Sequence, residues 1–328
     1  MDFAATKAKL LSRAQLVTTG RDAERLRRAV AQKTLRRVHV GWYVLAEHWD
    51  AAYPEEQQLM RVIAAADRLL FRGSALVLGS AAVMHGLPLW NVDLAKVHIA
   101  GSHTDGSSAT PGNVARHRVD IPVDDLTMIH GIPCTTLDRT VYDLSRTQPL
   151  EAAVAVADAA LRSIAWSDDT HTYDEDAAAR WKARMMTRFA QARGARGVRQ
   201  GEWVIAFADG RADRPGESVS RLQLRRLGFR PPELQVRVPG PNGRDYFVDF
   251  FIVDADAWGE MDGKTKYHQL LLTRGATPRE IFDAEKARED WIRGTTQRKM
   301  ARWGMEHIST PEKLGARLKR FGIVPGDA

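Results

Sequence analysis

Apolar residues recur at helical spacing along the first third of the chain and then give way to short β-rich runs. Ser12 is placed to cap a helix beginning at Arg13, and Gly20 to end it. Asp22 is placed to cap a second helix, Ala23 to Lys33, with Leu26 and Val30 four apart as its buried stripe. Leu35 to Leu45 then carries β-formers on both sides of Gly41, a hairpin pattern. Helix, helix, β-ribbon is the order of a winged helix-turn-helix, which the pattern assigns to residues 1–50.

A middle α/β domain is expected over residues 51–164. Glu55 to Leu70 has helical spacing, and Ala75 to His85 reads as a second apolar helix stopped by Gly86 and Pro88. Lys96 to Ala100 and Asn113 to Val119 read as strands around a polar loop, Gly106 to Gly112. Ile132 to Thr136 leads into a helix from Leu137 to Ser145, and Leu150 to Arg162 is an alanine-rich helix. His85 and Asp143 stand alone in this block and are expected to be structural. Residues 165–214 read as a helical basic connector. Its arginines Arg193, Arg196 and Arg199 lie among Gly194, Gly197 and Gly201. They suit either a segment that tracks a phosphate backbone or a plain turn between helices.

The last part, residues 215–328, reads as a mixed sheet flanked by helices. A helix starting near Glu217 runs to Leu227, followed by strands Leu234 to Val238 and Asp245 to Val253 around a Pro/Gly/Asn turn. The second strand is apolar on both faces, as in a central strand covered on both sides, with Phe247, Phe251 and Val253 in its core. Asp249 is then a carboxylate in a buried strand, which calls for a partner or a metal. In the next stretch, Trp258 to Lys264, the two-residue period puts Glu260, Asp262 and Lys264 on one face. Neighbouring strands lie about 4.8 Å apart, close enough for Asp249 and Glu260 to share one Mg²⁺ or Mn²⁺ ion. Such an ion activates water and stabilises charge on a phosphate, and a lysine beside it can hold either. The alternative for this pair is strand-end ion pairing with Arg244, Lys264 or Lys286.

Charge sharpens the picture. The chain has 328 residues and a net charge of +7, a balance that favours polyanion partners. The excess is local: Arg21, Arg25, Arg27, Arg28, Lys33, Arg36 and Arg37 face only Asp22 and Glu24. They fall on the recognition helix and wing, the elements that meet a major groove and its phosphates, or else they are a solvated helix face. The single cysteine, Cys134, excludes an internal disulfide and a cysteine-based zinc site, and suits a buried position. The opening residues lack a basic stretch followed by an apolar run, and the uncharged run Gly73 to Val92 contains Gly86 and Pro88. A cytoplasmic protein without a membrane span is expected.

Asp249 followed by Glu260-x-Asp262 resembles the core of the PD-(D/E)xK nuclease superfamily. Glu260-Met261-Asp262-Gly263-x-x-Lys266-Tyr267, with Pro215-Gly216-Glu217-Ser218 upstream and Glu285-Lys286-x-Arg288-Glu289-Asp290 downstream, resembles a domain related to very-short-patch-repair endonucleases. That resemblance implies Asp249 and Glu260 as metal ligands and Glu217 as an additional acidic residue. The lysine usual two residues after the glutamate is replaced by Asp262, so Lys264 or Lys266 must supply the basic group, or the site is degenerate. The N-terminal half is similar to the winged-helix domain of AbiEi-type antitoxins of type IV toxin–antitoxin pairs. The similarity rests on Ser12-Arg13-x-x-Leu16, Leu35-Arg36-Arg37, Gly41-Trp42-Tyr43 and Gly131-Ile132-Pro133-x-Thr135-Thr136. The whole resembles long actinobacterial proteins that fuse the two parts. It implies a Mg²⁺-dependent deoxyribonuclease in phage defence or DNA repair, or a repressor whose nuclease fold is degenerate. Candidate partners are double-stranded DNA, a cognate nucleotidyltransferase-like toxin and a second copy of the chain in a homodimer.

Overall fold

The computed structural model describes residues 2–69, 74–101, 113–262 and 277–326, and it has an α/β fold of helices and several sheets. The polar loop expected at Gly106 to Gly112 lies outside the described residues. The chain divides into two units, Met1–Val156 with Lys182–Ala206, and Ala157–Trp181 with Phe207–Ala328.

The first unit opens with α1 (Phe3–Ala8), β1 (Leu10–Ser12), α2 (Arg13–Leu16), α3 (Gly20–Ala31), β2 (Leu35–His39) and β3 (Trp42–Leu45). The strands form an antiparallel sheet in the order β1-β3-β2, so the hairpin stands beside the two helices in winged-helix order. Ser12 caps α2 through a reciprocal box with Gln15, as the sequence implies. Gly20 and Asp22 have other roles than expected. Thr19 is the N-cap of α3, Gly20 its first residue, and Asp22 the box partner whose carboxylate receives the Thr19 N–H at 2.9 Å. The hydroxyls of Thr18 and Thr19 also donate to it and hold its carboxyl below the ordinary range. A threonine cap with an aspartate at N3 satisfies two orphan backbone donors, which a lone Asp22 cap would not.

Next come α4 (Ala46–Ala51), α5 (Pro54–Leu69), β4 (Ala75–Leu76), α6 (Leu78–Met84), β5 (Val97–Ala100), β6 (Val114–His117), β7 (Leu126–Ile129), β8 (Ile132–Thr135) and α7 (Leu137–Thr147). The five strands lie in the order β6-β5-β4-β8-β7. Ala75 and Leu76 are thus not the start of a helix. Leu76 pairs with both Ile99 and Cys134 in the middle of the sheet, and only from Leu78 does the apolar run turn helical. Cys134 is fully buried there, and burial pushes its thiol up to about 11. His85 meets the Thr135 carbonyl at 2.8 Å and Asp143 accepts from Arg139 at 2.8 Å, both structural roles.

The segment 165–214, expected as a helical basic connector, carries two helices. It follows α8 (Leu150–Ala165) with β9 (Trp166–Ser167), β10 (Thr172–Tyr173), α9 (Glu175–Gln191) and α10 (Val198–Phe207). Met185, Phe189, Val204 and Ile205 are fully buried in the first unit. Arg193, Arg196 and Arg199 belong to the turn between α9 and α10. A Cβ at Gly197 would sit 2.2 Å from the Arg146 carbonyl oxygen, so this close approach requires glycine.

The second unit continues with α11 (Pro215–Arg226), β11 (Glu233–Pro239), β12 (Asp245–Ile252), β13 (Ala257–Asp262), α12 (Pro278–Thr296), β14 (Lys299–Gly304) and α13 (Pro311–Lys319). Its sheet runs β11-β12-β13-β14, antiparallel at the first two pairings and parallel at the last. The central position expected for β12 holds, but the core residues differ. Val248, Phe250 and Ile252 are buried, whereas Phe247, Phe251 and Val253 are half-buried. The apolar residues from Phe247 to Val253 alternate regularly in burial, and the register with β11 is constant from Glu233↔Phe251 to Pro239↔Asp245, so the more deeply buried set is the even-numbered one. Val248 therefore packs with Val238, Trp258, Ile292 and Met300, while the Phe250 ring lies 5.3 Å from that of Trp303. Trp303 is anchored by its indole N–H, which donates to Ser220 of α11 at 2.9 Å. Deeper in the unit, Arg221 of α11 meets the fully buried Asp158 of α8 at 2.6 Å. No helix among the described residues is long and apolar enough to cross a membrane.

Candidate functional site

The basic face and the carboxylate site are built in opposite ways. On α3 the apolar residue facing inward is Leu26, which leaves the other sides of the helix to solvent. Arg21, Arg25, Arg27, Arg28 and Lys33 are all exposed, as are Arg36 and Arg37 on β2. Arg25 and Arg28 have side chains 78% and 66% exposed, with acids no nearer than 3.7 Å. Arg36 reaches Asp50 at 3.2 Å. Exposed pairs of this kind hold their partners weakly, so the guanidinium groups remain available to an anion. Beside the wing lies a cleft of about 530 Å³ whose lining includes Arg36, Arg37, His39, Arg61 and Asn113. Arg61 stacks on the Trp49 ring at 4.7 Å and extends the cationic surface. It is hidden in the sequence because it sits mid-helix on α5, away from the basic cluster.

In the second unit, β12 and β13 bring Asp249 and Glu260 together. Each is only 4% exposed. The pairing Phe250↔Gly259 sets the two carboxylates on adjoining strands, and the Met261 N–H donates to Asp249 Oδ2 at 2.9 Å. Gly259 is forced by its surroundings, since a Cβ there would lie 2.4 Å from the Trp303 ring. Burial pushes the Glu260 carboxyl up to about 7; Arg288 opposes that rise and the nearby Asp249 adds to it.

The alternative to a metal for this pair is ion pairing with Arg244, Lys264 or Lys286, of which Lys264 lies outside the described residues. Among the described residues, Arg288 of α12 lies 2.6 Å from Glu260 Oε1 and Arg302 of β14 3.6 Å from Oε2. The parallel register explains Arg302, because it is the Cα partner of Glu260 on the next strand. Arg302 also holds Asp262 at 2.7 Å, Glu285 at 3.0 Å and Glu289 at 3.2 Å. Asp262 therefore faces the same side as Glu260, as the period implies, but is engaged by arginine. Glu217 is buried, and its Oε2 receives the Asp213 N–H at 2.9 Å and the Gln235 amide at 3.2 Å. Lys264 and Lys266 lie outside the described residues. Among the described residues no group of three or more His, Cys, Asp or Glu side chains is placed to hold a metal ion, so Asp262 and Glu217 do not join Asp249 and Glu260 as a larger donor set.

Two uncharacterized proteins of Mycobacterium tuberculosis are similar to this chain, one from strain CDC 1551 / Oshkosh and one from strain H37Rv. Each is 27% identical over 227 residues, which cover 69% of this chain and 74% of the relative. No protein-family model matches the chain.

What remains is the chemistry of the donor set. A magnesium-type ion takes one or two carboxylates and fills the rest of its shell with water and phosphate oxygens. Two buried carboxylates on adjoining strands are the number of acidic donors that such an ion takes, and Glu260 is engaged by arginine.

Proposed function

We propose that this chain binds duplex DNA through its winged helix and that its second unit hydrolyses DNA phosphodiester bonds with Mg²⁺ or Mn²⁺ held by Asp249 and Glu260. The observation that carries the reading is the pair of carboxylates, each 4% exposed, on neighbouring strands of a helix–three-strand–helix–strand unit. Two acids buried side by side are offset either by a cation or by a proton kept on one of them, and a divalent ion is a cation that would draw on both. The bound ion would supply an activated water and offset charge on the phosphate. The chain's own part is to fix Asp249 through the Met261 N–H and to keep bulk water from Glu260 by burial, while the exposed arginines of α3 and β2 meet phosphates. Seven exposed cations on α3, its C-terminal end and β2 support the duplex as the substrate class, since phosphate contacts supply most of the non-specific affinity.

A second reading is favoured by one observation, the 2.6 Å contact of Arg288 with Glu260. In that reading the arginines replace the metal permanently, and the chain is an AbiEi-type repressor whose nuclease fold is structural. The deciding experiment incubates the purified protein with supercoiled and linear DNA in Mg²⁺, Mn²⁺ or EDTA. Metal-dependent nicking that Asp249→Ala and Glu260→Ala each abolish, with DNA affinity retained, supports the nuclease. Duplex binding with no cleavage of any form in either metal supports the repressor.

A further inference from the structure

We infer that Arg288 is the resident counter-cation of Glu260 and that it moves to Glu285 when a divalent ion binds. The inference deepens the nuclease reading and rests on it. Arg288 is only 17% exposed and is fixed at both ends of its guanidinium group. Nη1 lies 2.6 Å from Glu260 Oε1, and Nη2 donates to the Phe247 carbonyl at 2.7 Å. Arg302 flanks the second carboxylate oxygen at 3.6 Å. Both oxygens of Glu260 thus face cationic nitrogen, and an incoming ion meets like charge on the side where it needs a donor. The same Nη1 lies 3.3 Å from Glu285 Oε1, on the same face of α12 one turn earlier. Nη1 already bridges the two carboxylates, so Arg288 can let go of Glu260 and close on Glu285 without becoming an unpaired buried charge. Glu285 is half-buried and already ion-paired to Arg302 at 3.0 Å, which holds it in place to receive the second arginine.

The arrangement makes the two arginine partners work in opposite directions on metal affinity. Glu260 competes for Arg288 against the ion, and Glu285 competes for Arg288 on the ion's behalf. Isothermal titration of the full chain with Mn²⁺ alone reads this directly. Arg288→Met should bind Mn²⁺ at least about tenfold more tightly than the wild type, and Arg288→Met/Glu260→Gln should abolish that increase. Glu285→Gln, a conservative change at a half-buried position, should bind Mn²⁺ more weakly than the wild type, and it keeps the test alive if Arg288→Met does not fold. Equal Mn²⁺ affinity in the wild type, Arg288→Met and Glu285→Gln overturns the switch and leaves the metal site standing. No Mn²⁺ uptake at millimolar concentration by any of the three removes the metal site itself, and the switch with it.

Discussion

The arginines of α3 and β2 and those of the second unit differ in what surrounds the same functional group. Arg25 and Arg28 extend into solvent and meet acids on their own helix at 3.7 Å. Arg221 and Arg288 end on nearly sealed carboxylates at 2.6 Å. In water a guanidinium keeps its charge free for an incoming phosphate, and an exposed ion pair stabilises the fold by about 1 kcal/mol or less. Away from water the same group is bound into the fold, and removing it strands a buried charge. Burial therefore divides the chain's arginines into ones that can be offered to a partner and ones that hold the structure.

The sharpest way to break that division is Arg221→Met. It leaves Asp158 fully buried without its ion-pair partner, and the expected loss is about 3–5 kcal/mol of stability, read from urea denaturation. A loss comparable to that of a surface arginine would mean that burial is a poor guide here. Next is pH. In EDTA, burial raises Glu260 from its ordinary 4.5 to about 7, so between those values the folded chain keeps a proton that the unfolded chain has released. The stability contributed by Glu260 is fully present below about 4.5 and is lost as pH rises through about 7, up to about 3 kcal/mol. Glu260→Gln should flatten that part of the profile, and an unchanged slope would assign it to other groups.

Gly259→Ala should cost about 1–3 kcal/mol, because the new methyl must displace the Trp303 ring from a close-packed position. A melting temperature equal to that of the wild type would show that the ring has room to move. The smallest effect on stability is expected from the triple change Arg27→Ala, Arg28→Ala and Arg36→Ala, within about 0.5 kcal/mol. The same variant should weaken duplex binding and lower the salt slope by about one for each phosphate that is no longer neutralised. Unchanged affinity and slope would move the DNA-binding surface away from α3 and β2.

The parts of the molecule legible in sequence are those set by local chemistry. The Ser12 cap and the Gly41 hairpin are short-range devices, and both lie where their residues imply. The cap of α3 is ambiguous in sequence because Thr19 and Asp22 are both good capping residues, and only the reciprocal box distinguishes the two. Leu76 reads as helical because an apolar run carries no period of its own when both neighbours in a sheet are apolar. On β12 the expected core residues Phe247, Phe251 and Val253 are the less buried alternate set, because a strand apolar on both faces gives no sign of which face is covered more deeply. For the site, Asp249 and Glu260 are legible because a buried carboxylate is conspicuous in an apolar strand. Arg288 is visible as part of a motif but without a role, since α12 follows β13 in sequence and its facing side is decided by packing. Arg302 is invisible, because nothing in the order of residues announces which later strand will lie parallel to β13.

The pairing of Arg221 with Asp158 also limits how this protein can be taken apart. Asp158 lies on α8, well upstream of the Pro215-Gly216-Glu217 stretch at which the sequence pattern starts the C-terminal fold. A fragment starting at residue 215 would carry a guanidinium into its interior and leave the matching carboxylate behind. The C-terminal portion is therefore not a portable cassette. Any rearrangement that transplants it, in a test tube or in a genome, must carry the end of α8 along or replace Arg221 with something apolar.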